Sequence, residues 1–241
     1  MELKICHLYP DIMNLYGDRG NILCIQKRLQ WRGIDSVIEK RPLGSPLNLK
    51  GFDLIFIGSG QDFDQQLLLE DLNSGRAAEL KAAVESGVTV LAVSSGFELL
   101  GKYTEDASGK RTDFVGALDM YTKQAPDRLT GNYKFELTED CGGGIVVGFE
   151  NHSGRTYLGE GVKPLAKVLS GSGNNGSDST EGVRYKNVFG TYSHGPVLPK
   201  NPKFCDYILL TALKHKYGIT ELSSLQDEAE LAAHDEMCSR V

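Results

Sequence analysis

No stretch of this chain is long and apolar enough to cross a bilayer. The longest apolar runs, such as Leu54-Ile-Phe-Ile57 and Val88 to Val93, fall far short of the ~20 residues a spanning helix needs. Nor does the sequence open on a charged segment followed by a long apolar core. It starts on a strand-like run, Leu3-Lys-Ile-Cys-His-Leu8, so a secretion signal is not expected and a cytoplasmic protein is. Paired cysteines are missing as well. The five present, Cys6, Cys24, Cys141, Cys205 and Cys238, are odd in number, widely separated and without C-x-x-C spacing, so reduced thiols are expected and a zinc or redox centre is not. A basic stripe is also lacking. Net charge is −6, and the interrupted cluster Lys27, Arg28, Arg32, Lys40 and Arg41 reads as solvated surface, which argues against nucleic acid as a partner.

What is present is the composition of a soluble, enzyme-like domain: 241 residues, 40% hydrophobic, 24% charged, with 28 glycines. Strand and helix signals alternate through the first two thirds. Leu3–Leu8 reads as a strand, and Ile22, Ile25 and Leu29 share one helical face between Asn21 as N-cap and Gly33 as stop. Strands are expected near Ser36–Glu39, at Asp53–Ile57 and at Val88–Val93, with a helix at roughly Arg76–Glu85. This order predicts an α/β fold, a doubly wound and mostly parallel sheet flanked by helices, with its site at the strand C-termini. From about Asp113 short strands and turns take over. Ile145–Glu150, Arg155–Leu158, Ala166–Leu169 and Gly182–Tyr185 read as antiparallel strands, with a turn at Gly142-Gly-Gly144 and a flexible loop over 171–180. A last strand, Val188–Ser193, precedes a helix near Phe204–Tyr217. With no internal repeat or clear linker, one domain over 1–218 is expected, followed by an acidic, amphipathic tail over 219–241 that suits a surface helix or a docking segment.

The segment richest in chemistry is Val88-Thr-Val-Leu-Ala-Val-Ser-Ser-Gly-Phe-Glu-Leu-Leu100. A short apolar strand stops at a hydroxyl side chain and turns at once into a helix, the layout of a nucleophile elbow. Such a turn lifts the Ser94 side chain above the sheet and leaves neighbouring N–H groups, Ser95 among them, free for a developing oxyanion. An ordinary strand-loop-helix junction has the same outline, so the elbow needs a base. His194 fits, standing at the end of the last strand and followed by Gly-Pro, whereas His7 lies within a strand and His215 and His234 lie on helices. A second glycine turn, Gly58-Ser-Gly-Gln-Asp62, follows the neighbouring strand and can offer a second donor. It is not followed by the Gly-Lys-Ser/Thr of a phosphate loop. In Tyr16-Gly-Asp-Arg-Gly-Asn21 a capped turn accounts for the glycines and Asn21, and Asp18 and Arg19 read equally well as exposed charges. Arg128 is unremarkable by spacing.

Taken together, the elbow, Gly58–Asp62, Gly148-Phe-Glu-Asn-His-Ser-Gly-Arg155 and Gly190-Thr-Tyr-Ser-His-Gly-Pro196 resemble the class I glutamine amidotransferases of the cobyric-acid-synthase type. Tyr16–Asn21 and the short length narrow the resemblance to the glutaminase subunits of lipid II isoglutaminyl synthases, over about residues 3 to 217. The resemblance implies a subunit that hydrolyses glutamine and passes ammonia to a Mur-ligase-like synthetase partner in a heterodimer. That partner uses ATP to activate the D-glutamate α-carboxylate of the lipid II stem peptide, which ammonia converts to D-isoglutamine. It further implies position 94 as nucleophile, His194 as base, Gly60 and Ser95 at the oxyanion and Arg128 on the glutamine carboxylate. The acid that orients the histidine is then supplied by the partner, and neither cofactor nor metal is needed.

The match breaks at the nucleophile. The family pattern is Cys-Gly-Gly-Phe/Tyr-Gln, whereas this chain has Ser94-Ser-Gly-Phe-Glu98. A thiol ionises near neutrality with a histidine's help; a serine hydroxyl needs a fuller base and a strongly bound oxyanion. Three readings stay open at this point: an inactive subunit in which serine replaces cysteine by engineering or by natural degeneration, a serine hydrolase or peptidase of the same fold, and a non-catalytic binding subunit.

Overall fold

A computed structural model describes residues 1–241, except for the side chains of residues 62–66 and 73–74. In chain order the elements are β1 (Glu2–Leu8), α1 (Arg19–Trp31), β2 (Asp35–Arg41), β3 (Leu54–Ile57), α2 (Asp62–Asp71), α3 (Ala77–Glu85), β4 (Thr89–Val93) and α4 (Ser95–Leu99). There follow β5 (Tyr103–Glu105), β6 (Arg111–Asp113), β7 (Met120–Leu137), β8 (Ile145–Leu158), β9 (Ala166–Ser170), β10 (Thr180–Glu181), β11 (Val183–Tyr185) and β12 (Val188–Thr191). Helices α5 (Val197–Lys200), α6 (Pro202–Tyr217) and α7 (Glu228–Ser239) close the chain.

The first sheet runs β11-β12-β4-β3-β1-β2, parallel throughout except for the β11–β12 edge. Every residue of β3 and β4 is buried, as continuous apolar runs demand of central parallel strands. Alternate side chains serve two cores. Leu54, Phe56, Leu91 and Val93 pack with α1 and α6, and Ile55, Ile57, Val90 and Ala92 pack with Leu80 and Val84 of α3. The expected α/β class holds, with a mostly parallel sheet. Helix α1 starts earlier than its apolar stripe suggests, and Asn21 is not its cap. Asp18 stands at that position, while Asn21 sits inside the helix and accepts the Leu198 N–H through Oδ1 at 2.9 Å.

A second sheet, β10-β9-β7-β5-β6 with β8 also on β7, carries most of the antiparallel structure, with β5 pairing parallel to β7. Here the sequence misleads. Ile145–Glu150 and Arg155–Leu158 are one continuous strand, β8, because β7 also pairs with Asn151, His152 and Gly154 between them. Strand β7 itself was not expected. Its ladder breaks between Gln124 and Leu129, where four residues of β7 oppose Ser153 alone on β8. Pro126 lacks the N–H a ladder needs, and the resulting bulge carries Arg128. The segment after 219 lies on the domain surface. Arg28 donates to both Asp206 and Asp227, Arg32 to the Ser223 carbonyl, and α7 meets the body through His234 Nδ1 and the Lys200 carbonyl at 2.9 Å.

Candidate functional site

Ser94 sits between β4 and α4 with φ 50° and ψ −117°, a conformation that disfavours any side chain. Backbone in such a region costs about 1–3 kcal/mol and persists only where the surroundings impose it. They do so here: the Ser94 N–H donates to the Thr191 carbonyl at 2.8 Å, and the Glu98 N–H donates to the Ser94 carbonyl at 2.9 Å. Gly96 completes the turn. A Cβ at 96 would overlap the Gly58 carbonyl oxygen and lie 2.8 Å from Ile57 Cγ2, so the helix start presses directly on the loop after β3. The strand-turn-helix outline is thus a strained elbow locked to its neighbouring loop.

Ser94, Ser95, Gly60 and Arg128 all line one cavity of about 440 Å³, a size that suits a small ligand. Its rim is held by a chain of contacts. Arg128 donates to Asn151 Oδ1 at 2.7 Å and to its carbonyl at 2.8 Å, and Asn151 Nδ2 donates to the Tyr16 hydroxyl at 2.6 Å. The Gly60 N–H donates to Ser95 Oγ at 2.8 Å. Of the Gly58–Asp62 motif, the side chain of Asp62 lies outside the described residues.

His194 is placed differently. It is fully buried and does not line the cavity; Tyr16, which does, packs edge-on against the imidazole with centroids 4.8 Å apart. Neither ring nitrogen has a hydrogen-bond partner among the described residues. Burial pushes the imidazole down to about 3, so the ring is neutral at physiological pH and a weak base.

Three features went unread in the sequence. Asp18 is not an exposed charge: it is fully buried, accepts the Ser59 N–H through Oδ2 at 2.7 Å, and holds Oδ1 4.0 Å from His194 Nδ1. Burial pushes its carboxyl up to about 7. An acid beside the histidine is therefore present within this chain. His152 is a second histidine at the cavity, stacked on Tyr192 at 3.6 Å, with Nδ1 2.8 Å from the Gly154 carbonyl. Glu98 also lines the cavity, buried, accepting from the Tyr192 hydroxyl at 2.8 Å and from Gln124 at 3.5 Å. The signal for Glu98 was its departure from the family glutamine. Asp18 and His152 lie inside the Tyr16–Asn21 and Gly148–Arg155 motifs, where spacing alone does not set them apart.

The strained turn at Ser94, the glycine loop beside it and Arg128 thus share one cavity, and His194 stands behind Tyr16 at the neighbouring strand end. The chain belongs to the family of CobB/CobQ-like glutamine amidotransferase domains, which matches residues 4–202. Within it, the sequence is 38% identical to the lipid II isoglutaminyl synthase (glutamine-hydrolyzing) subunit GatD of Streptococcus pneumoniae, over 99% of this chain and 88% of that one. It is also 38% identical to the GatD subunit of Staphylococcus aureus, over 99% and 96%. Both similarities continue into the segment after residue 217 that the sequence motifs did not reach. A crystal structure of a Thermotoga maritima glutamine amidotransferase shares the fold, with a TM-score of 0.55, 12% identity, and coverage of 98% of this chain and 90% of that one.

Proposed function

We propose that this chain is the glutamine-handling subunit of a lipid II isoglutaminyl synthase, assembled in the cytoplasm one-to-one with a Mur-ligase-like synthetase. What carries the proposal is the strained residue 94 facing a cavity shared with Gly60, Ser95 and Arg128, in a chain similar over its whole length to subunits of that name.

In this reading Arg128 holds the glutamine α-carboxylate, and the nucleophile at 94 attacks the side-chain amide carbon. The nucleophile's proton passes to His194, and the oxyanion faces the N–H groups of Gly60 and Ser95. Collapse breaks the C–N bond, His194 returns the proton to the leaving ammonia, and water then releases glutamate from the acyl-enzyme. Asp18, at 4.0 Å from Nδ1, is positioned to orient the imidazole and to stabilise its protonated form. Ammonia goes to the synthetase, which amidates the activated D-glutamate carboxylate. With serine at 94 the first step stalls. A hydroxyl remains protonated at neutral pH, whereas a thiol at the same position ionises with the histidine's help. Glutamine therefore binds but turns over little or not at all.

Calorimetric titration of L-glutamine into the protein tests this. Saturable binding is expected, weakened about 10- to 100-fold in Arg128→Ala, the worth of a charge-assisted contact. An unchanged affinity in Arg128→Ala would assign that side chain to the solvated surface, and absence of binding to the unsubstituted chain would remove the glutamine reading.

A further inference from the structure

One donor of the candidate oxyanion site is already in use. The Gly60 N–H donates to Ser95 Oγ at 2.8 Å, and the same hydroxyl lies 3.3 Å from the Gly60 carbonyl, so a single side chain engages both backbone groups of that residue. Ser95 and Gly60 are buried and line the cavity with Ser94. Gly96 brings the helix start against Gly58 without room even for a Cβ, so the loop and the elbow are packed in direct contact. A backbone N–H has one proton and makes one strong bond. A carbonyl oxygen arriving from a substrate must therefore displace the Ser95 hydroxyl before it gains anything from Gly60.

We propose that Ser95 is an internal ligand of the oxyanion donor, so that the site is closed twice: once by the missing thiol at 94, and independently by a hydroxyl occupying the Gly60 N–H. This rests on the glutamine-site reading above. The family pattern places glycine at 95, which carries no hydroxyl and leaves the donor open. Ser94→Cys alone then yields a thiol in a site that still stabilises the oxyanion poorly, whereas a second change at 95 frees the donor. Loss of one such donor elsewhere costs about 10²–10³ in rate, and the two-residue change is expected to differ from Ser94→Cys by about 100-fold.

The test compares Ser94→Cys, Ser94→Cys with Ser95→Gly, and Ser94→Cys with Ser95→Ala, in the full chain. Each is treated with 6-diazo-5-oxo-L-norleucine, a glutamine analogue that alkylates a thiolate, its diazo carbon taking up a proton and losing N₂ as the C–S bond forms, and in parallel with iodoacetamide, which needs no oxyanion site. Intact-mass spectrometry, with peptide mapping to position 94, reads the rate at which the introduced thiol is labelled. Both double variants should label about 100-fold faster than Ser94→Cys with the analogue and at equal rates with iodoacetamide. Equal analogue rates in all three would overturn the proposal while leaving the glutamine reading intact. Acceleration in the glycine variant but not the alanine variant would also overturn it, since space rather than the hydroxyl would then matter. If no variant takes the analogue although the introduced thiol takes iodoacetamide, the glutamine reading fails. Amide exchange then decides the contact: faster exchange of the Gly60 N–H in Ser95→Ala than in the unsubstituted chain upholds it, and unchanged exchange overturns it.

Discussion

Gly96→Ala is the smallest change that should damage the elbow, and its cost can be worked from the packing. Alanine is allowed by the backbone at 96, where φ is not positive, and in an open helix it would add up to ~1 kcal/mol of stability over glycine. Here the added methyl overlaps the Gly58 carbonyl oxygen and meets Ile57 Cγ2 at 2.8 Å and the Ile57 carbonyl at 3.0 Å. Ile57 is the last residue of β3, paired with β1 on one side and β4 on the other, and cannot retreat without disturbing the sheet, so relief must come from the loop that starts at Gly58. Overpacking of this kind costs ~1–3 kcal/mol or more. A net loss of about 2 kcal/mol is expected, which in a domain of this size lowers Tm by roughly 4–8 °C. Differential scanning calorimetry of the two proteins measures it, and the same variant should bind glutamine more weakly because the Gly58–Gly60 loop is pushed from the elbow. A Gly96→Ala protein as stable as its parent would refute the close approach of loop and helix, and with it the geometry assigned to the oxyanion donors.

Asp18→Asn should change how stability responds to pH. Asp18 rises from 3.8 to about 7 on folding, so its favourable contribution is full below about 3.8 and is lost as pH climbs through 7. That range is worth about 4 kcal/mol at ~1.4 kcal/mol per pH unit. Denaturant titrations from pH 4 to pH 8 should show the asparagine variant gaining on its parent by about that amount, and a constant gap would mean Asp18 is not buried as described. Assembly gives a second outcome: co-expression with a Mur-ligase-like synthetase should yield a one-to-one complex by size exclusion with mass determination. A monomer that ignores that synthetase would favour an independent serine hydrolase.

Several elements were legible because their signals are local. The runs of β3 and β4 are apolar on both faces, and the turn after β4 is made of small residues, so the elbow could be placed to the residue. Gly142-Gly-Gly144 was equally plain, and all three glycines adopt positive φ between β7 and β8. Strand β7 was not legible. Lys123, Gln124, Asp127, Arg128 and Lys134 break its alternation and Pro126 interrupts it, so its existence depends on the ladder that β8 provides. Asp18 failed for a similar reason. A charge in a glycine-rich turn reads as surface until Ser59 and His194 arrive from distant parts of the chain to bury it. His194 could be found from its strand end, but its position behind Tyr16 could not, because the Tyr16 contact is set by tertiary packing. Arg128 came from family resemblance alone, since the bulge that carries it has no signature beyond the proline.

Ammonia release is the decisive readout for a glutamine-hydrolysing site silenced at positions 94 and 95. The unsubstituted chain and the variant carrying Ser94→Cys with Ser95→Gly are each assayed in complex with the synthetase partner, with L-glutamine as substrate. Ammonia is expected from the variant and essentially none from the unsubstituted chain. Comparable turnover by the unsubstituted chain, or an inert variant in an intact complex, would contradict it.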